Sequence, residues 1–126
     1  MIDDSKPIFQ QIAERIESDV LDGVLAEEEQ VPSTNEIAAF YRINPATAAK
    51  GVNLLVDEGL LYKRRGIGMF VAPGARAQVL AKRRDQFYRQ YVQPLHLEAR
   101  KLGISMEELT NLIQRSAAEH EGTPAP

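Results

Sequence analysis

Between Ser33 and Gly68 the chain collects side chains suited to gripping a nucleic acid rather than to breaking a bond. Ala46, Thr47, Ala49, Lys50 and Asn53 fall on the helix face turned away from Val52 and Leu55, with Asn44 at its start. Thr47 suits a phosphate or a thymine methyl, Lys50 a guanine or a phosphate, and Asn53 an adenine. Lys63-Arg64-Arg65-Gly66-Ile67-Gly68 follows. Its Arg64 and Arg65 would meet phosphates or enter a minor groove, while Gly66 and Gly68 let the backbone come close. Ser33 and Asn35, upstream, stand where polar side chains can meet a phosphate or a base. Taken singly, each group reads more readily as a solvated polar face or turn. Their conjunction in one short stretch points to DNA.

The elements that must position these groups are legible. Pro7 opens a helix whose Ile8, Phe9, Ile12, Ala13, Ile16 and Val20 recur at three and four, and Gly23 stops it. Glu27-Glu28-Glu29-Gln30 reads as a solvated link, and Val31 before Pro32 is extended. Ser33-x-x-Glu36 is a capping box, so a second helix runs to about Phe40 or Tyr41, with Ile37, Ala38 and Phe40 on its buried side. Arg42-Ile43 turns. Asn44-Pro45 then starts a third helix that ends at Gly59. Leu60-Leu61-Tyr62 and Met69-Phe70-Val71 are short strands, with Lys63 at the base of the hairpin and the two arginines at its tip. Helix, turn, helix and glycine-pinched hairpin, in that order, describe a winged helix-turn-helix over residues 1–74, closed by the Pro73-Gly74 break.

Residues 75–120 carry helices of a different kind. Leu80, Phe87, Tyr91, Leu95, Ala99 and Leu102 form an apolar stripe that Pro94 should kink or break. Gly103 ends it, and Ser105-x-x-Glu108 opens a last helix bearing Leu109, Leu112 and Ile113. So short a segment cannot enclose a large core. Pairing Phe87, Tyr91, Leu95, Leu109, Leu112 and Ile113 across a two-fold axis would bury this surface and fix the spacing of two reading heads. Folding back onto the same chain is the alternative. Residues 121–126 read as a flexible tail.

Charge and composition narrow the classes. The net charge of −3 is unevenly spread. Residues 1–36 hold ten acids against Lys6 and Arg15, whereas residues 42–65 hold five cations against Asp57 and Glu58. Arg76, Lys82, Arg83 and Arg84 follow without an acid, so positive charge gathers where phosphate would lie. Without cysteine there is no disulfide framework or thiol nucleophile. No apolar run is long enough to span a membrane and the acidic start is unlike a signal peptide, so a cytoplasmic address is expected. His96 and His120 lack a catalytic partner or metal-ligand spacing, so neither catalysis, cofactor nor metal is expected.

The segment from Pro7 to Val71 resembles the GntR family of bacterial transcription regulators. The likeness lies in Pro32-Ser-x-x-Glu-Ile-Ala, Asn44-Pro-x-Thr47, Glu58-Gly-Leu-Leu and Arg65-Gly-x-Gly-x-Phe-Val. The short C-terminal part is similar to the YtrA-like subfamily. That resemblance implies a dimeric repressor. The chain departs from the family pattern at Asn35, Pro45 and Ala49, where arginine is common, and at Met69, where the wing has threonine. Fewer guanidinium forks mean fewer bidentate guanine contacts, so the family's operator bases do not transfer.

The reading is a mostly α protein with a small β-hairpin: an N-terminal winged helix-turn-helix followed by a two-helix dimerisation region. It implies a homodimer on double-stranded DNA carrying an inverted repeat, modulated by a small-molecule effector that shifts the two heads. The alternative is a winged-helix scaffold for a basic protein partner, which would have no use for Lys63-Arg64-Arg65 beside Lys50.

Overall fold

The structure is a computed structural model and describes residues 5–121. Helix α1 (Ile8–Leu21) buries Ile12, Ala13, Ile16 and Val20 along one face. Helix α2 (Thr34–Tyr41) starts at a complete capping box: the Glu36 N–H donates to Ser33 Oγ at 3.1 Å and the Ser33 N–H to Glu36 Oε1 at 3.0 Å. It ends at Arg42, which adopts the left-handed conformation (φ 56, ψ 49) so that the Ile43 N–H turns back to the Ala38 carbonyl. Helix α3 (Pro45–Asp57) begins where Asn44 Oδ1 accepts the Ala46 N–H at 2.8 Å, with Pro45 in the first turn.

Strands β1 (Leu61–Arg64) and β2 (Gly68–Val71) pair antiparallel, Leu61 against Val71 and Arg64 against Gly68. The hairpin extends further toward its tip than the apolar residues alone suggest, so Lys63 lies within β1 opposite Met69. Ile12, Val52, Leu55, Leu61 and Val71 are fully buried together, each such side chain contributing about 1.5–3 kcal/mol.

The chain divides into two compact units, Met1–Arg83 and Arg84–Pro126. The first includes most of helix α4 (Ala75–Phe87), whose Ala75 and Val79 complete its core. Polar side chains of α4 also bind backbone at helix ends. Arg76 donates to the Leu21 carbonyl at 3.0 Å and Gln78 to the Glu58 carbonyl at 2.8 Å. Arg83 donates to Ser18 Oγ at 2.7 Å, and Lys82 reaches Glu17 at 2.6 Å and Glu58 at 2.9 Å.

The second unit holds a π-helical stretch Tyr88–Val92, helix α5 (Gln93–Lys101) and helix α6 (Met106–Glu121). Ala99 and Leu109 are its buried side chains. Phe87, Tyr91, Leu95 and Ile113 are exposed and Leu112 is half-buried.

Two expectations are corrected and a third is narrowed. Phe40 is 79% exposed, not buried; its ring lies T-shaped to that of Tyr41, 4.9 Å between centroids. Residues 28–31 are no mere link, for they hydrogen-bond along the outer edge of β2. Pro94 does not break the helix. The Gln93 N–H bonds to the Tyr88 carbonyl five residues back, and this widened turn accommodates the proline ring, which would otherwise press on the carbonyl four residues before it. The expected tail, beyond Glu121, lies outside the described residues.

Candidate nucleic-acid interface

Helix α3 turns Ala48, Gly51, Val52 and Leu55 into the core, so its opposite face carries Ala46, Lys50 and Asn53 into solvent. Thr47 and Ala49 flank that face, half-buried. Lys50 is not loose: its ammonium lies 4.1 Å from the centroid of the Phe9 ring of α1, a cation–π contact that restrains the side chain yet leaves its three N–H donors unpaired. Phe9 has no signal in the sequence beyond its place in an apolar stripe.

Ser33 and Asn44 spend an oxygen on their caps. The Asn44 amide hydrogens remain to donate outward, beside a helix N-terminus that favours an anion. The Glu36 carboxyl is held below its usual pKa by the Ser33 backbone N–H first and the Ser33 hydroxyl second. Asn35 is exposed in the first turn of α2.

In the hairpin, the Ile67 N–H closes a turn on the Arg64 carbonyl at 2.9 Å, with Arg65 and Gly66 between them. Gly66 takes φ 76, the value this turn requires at its third residue. Arg65 and Gly66 thus form the exposed tip. Arg64 leans back over the Phe70 ring at 5.0 Å, on the face where Tyr62 stacks with Phe70 at 5.9 Å. The Tyr62 hydroxyl donates to Glu28 at 2.8 Å, and that hydrogen bond raises the Tyr62 pKa. Gly68 is half-buried beside the side chain of Gln30.

The cations of the first unit separate into two groups. Lys6, Arg15, Arg76, Lys82 and Arg83 are taken up by carboxylates, a hydroxyl or carbonyls. Among the described residues, Arg42, Lys50, Lys63, Arg64 and Arg65 make no ion pair and no side-chain hydrogen bond; Lys50 and Arg64 rest only on rings. A unit that pairs its other cations and leaves these five unpaired around one helix and hairpin presents a surface fit for phosphate.

The pattern of bacterial regulatory proteins of the gntR family matches residues 8–71, just over half of the chain. The chain belongs to the GntR family. It is a DNA-binding transcriptional regulator built on a winged helix-turn-helix, as sequence and fold both indicate. The HTH-type transcriptional repressor YtrA of Bacillus subtilis is similar to this GntR protein over nearly its whole length. The two are 26% identical over 118 residues, 94% of this chain and 90% of YtrA. A GntR-family transcriptional regulator from Bacteroides thetaiotaomicron has a similar structure, with a TM-score of 0.73 and 33% identity over 90% of this chain and 98% of that one. The AraR DNA-binding domain, in complex with operator ORX1, matches 57% of this chain and 93% of its own, at 28% identity and a TM-score of 0.54. No helix among the described residues is long and apolar enough to cross a membrane.

Proposed function

We propose that this GntR protein is a homodimeric repressor that occupies an inverted-repeat operator, one winged helix per half-site. The observation that carries this reading is the set of five unpaired cations gathered on the α2–α3 turn, α3 and the wing. Lys50 and Asn53, with the methyl groups of Ala46, Thr47 and Ala49, would read base edges in the major groove. Ser33, Asn35, Asn44, Arg64, Arg65 and the backbone at Gly66 and Gly68 would hold phosphates. The second unit supports dimer formation through its uncovered apolar side chains, Phe87 at 57% and Tyr91 at 64% exposed, with Leu95, Leu112 and Ile113 alongside. Leu109 is buried within its own chain and would back that surface from beneath. A two-fold pair of heads requires an inverted repeat. A small-molecule effector would act by changing the spacing of the heads.

The test is selection of genomic fragments by the purified protein at moderate salt. Recovery of an inverted repeat with a fixed spacer is expected. A folded protein that retains no fragment above background overturns the reading in favour of a protein-interaction module.

A further inference from the structure

We infer that Gln30 is a wing-positioning residue, whose side-chain amide fixes the turn bearing Arg64 and Arg65 and thereby sets how firmly the wing holds DNA. The inference rests on the DNA-binding reading for its purpose, but the clamp itself is a property of the free protein.

Gln30 sits in the segment that runs along the outer edge of β2. The Glu28 N–H donates to the Val71 carbonyl at 2.7 Å, the Val71 N–H to Glu29 at 3.0 Å, and the Val31 N–H to Met69 at 2.9 Å. This ladder fixes the Gln30 backbone opposite Phe70. From there the side chain extends toward the tip, where Nε2 donates to the Ile67 carbonyl at 3.0 Å. Ile67 is therefore held from both sides, its N–H by Arg64 and its carbonyl by Gln30. Gly68 makes the approach feasible: it takes φ 145, and a Cβ there would lie 2.6 Å from Gln30 Nε2.

A hairpin of two four-residue strands is barely stable alone, and its tip projects past the ladder. A loose tip would lose conformational entropy on meeting DNA, weakening each phosphate contact by that amount; a clamped tip has already lost it. The position also calls for a long, neutral donor. Glu27, Glu28 and Glu29 precede it, and a fourth carboxylate would neither donate to Ile67 nor spare the cations at the tip.

The test compares wild type with Gln30→Ala and with Gln30→Met, which keeps length and loses the donor. In the free protein, amide ¹⁵N relaxation should show the order parameters of Gly66, Ile67 and Gly68 falling from about 0.85 to below about 0.6, with those of α1 and α3 unchanged. On an inverted-repeat duplex recovered by genomic selection, affinity should fall about threefold to tenfold. In an Arg64→Ala/Arg65→Ala background the same Gln30 substitutions should change affinity by a smaller factor than in wild type, because the two guanidinium contacts are gone and only the backbone contacts at Gly66 and Gly68 remain. Unchanged order parameters overturn the clamp. Loosened amides with a fully additive affinity loss overturn the positioning role, for Gln30 would then touch DNA itself. A wild type that retains no duplex overturns the DNA reading alone, while the relaxation data still decide the clamp.

Discussion

A Cβ placed on Gly51 of α3 would stand 2.6 Å from the carbonyl oxygen of Phe9 in α1. The two helices cross with no room for even one methyl group, and Ile12 closes the other side at 3.1 Å. That crossing is also what sets the Phe9 ring under Lys50. Gly51→Ala should therefore destabilise the protein by about 1–3 kcal/mol through overpacking. Alanine's intrinsic helix advantage of about 1 kcal/mol opposes this loss and should not cancel it. Urea unfolding decides the matter: an unchanged or higher midpoint would mean that the helices separate without cost.

Lys82 joins α4 to the buried Glu17 carboxylate and to Glu58. Lys82→Ala should cost about 2–4 kcal/mol, since it strands the Glu17 charge in the interior. Glu58→Ala, on a more exposed partner, should cost less than about 1 kcal/mol. Burial lowers the Lys82 pKa, but the hydrogen bonds to Glu17 and Glu58 outweigh it and the pKa ends above 10.5. A raised folded pKa contributes stability that is complete below the unfolded pKa and lost as pH climbs through the folded one. Thermal midpoints of wild type should drop above about pH 10.5, and those of a Lys82→Met variant should not show this particular step.

Arg42 is held in the left-handed region, where a side chain costs about 1 kcal/mol and glycine does not. Arg42→Gly should raise the thermal midpoint by a few degrees. A lower midpoint would show that the guanidinium makes a stabilising contact that outweighs the strain.

Lys50 and Arg65 should fail differently on DNA. Arg65→Ala should weaken binding about equally across sequences and reduce the salt slope by about one unit. Lys50→Ala should in addition relax base preference by about 1–3 kcal/mol at one position. Binding isotherms on matched and mismatched duplexes at several salt concentrations separate the two, and identical effects of both substitutions would contradict the assignment of α3 as the reading helix.

Much of this was legible locally. Ser33-x-x-Glu36, Asn44-Pro45 and the glycines at 66 and 68 act through bonds and torsions within a few residues, so the sequence alone determined the order of helices, turn and hairpin. The face of α3 that carries Ala46, Lys50 and Asn53 followed from helical periodicity in the same way.

Tertiary structure decided the contacts between distant segments. Gln30 meets Ile67 across 37 positions and Lys82 meets Glu17 across 65, and nothing near either residue specifies its partner. Phe40 was apolar and helical, yet whether it is covered depends on where the other elements pack, and it is left 79% exposed. Propensity, capping and turn chemistry are summed over neighbours in the chain, whereas burial and ion pairing depend on neighbours in space, which exist only once the chain has folded.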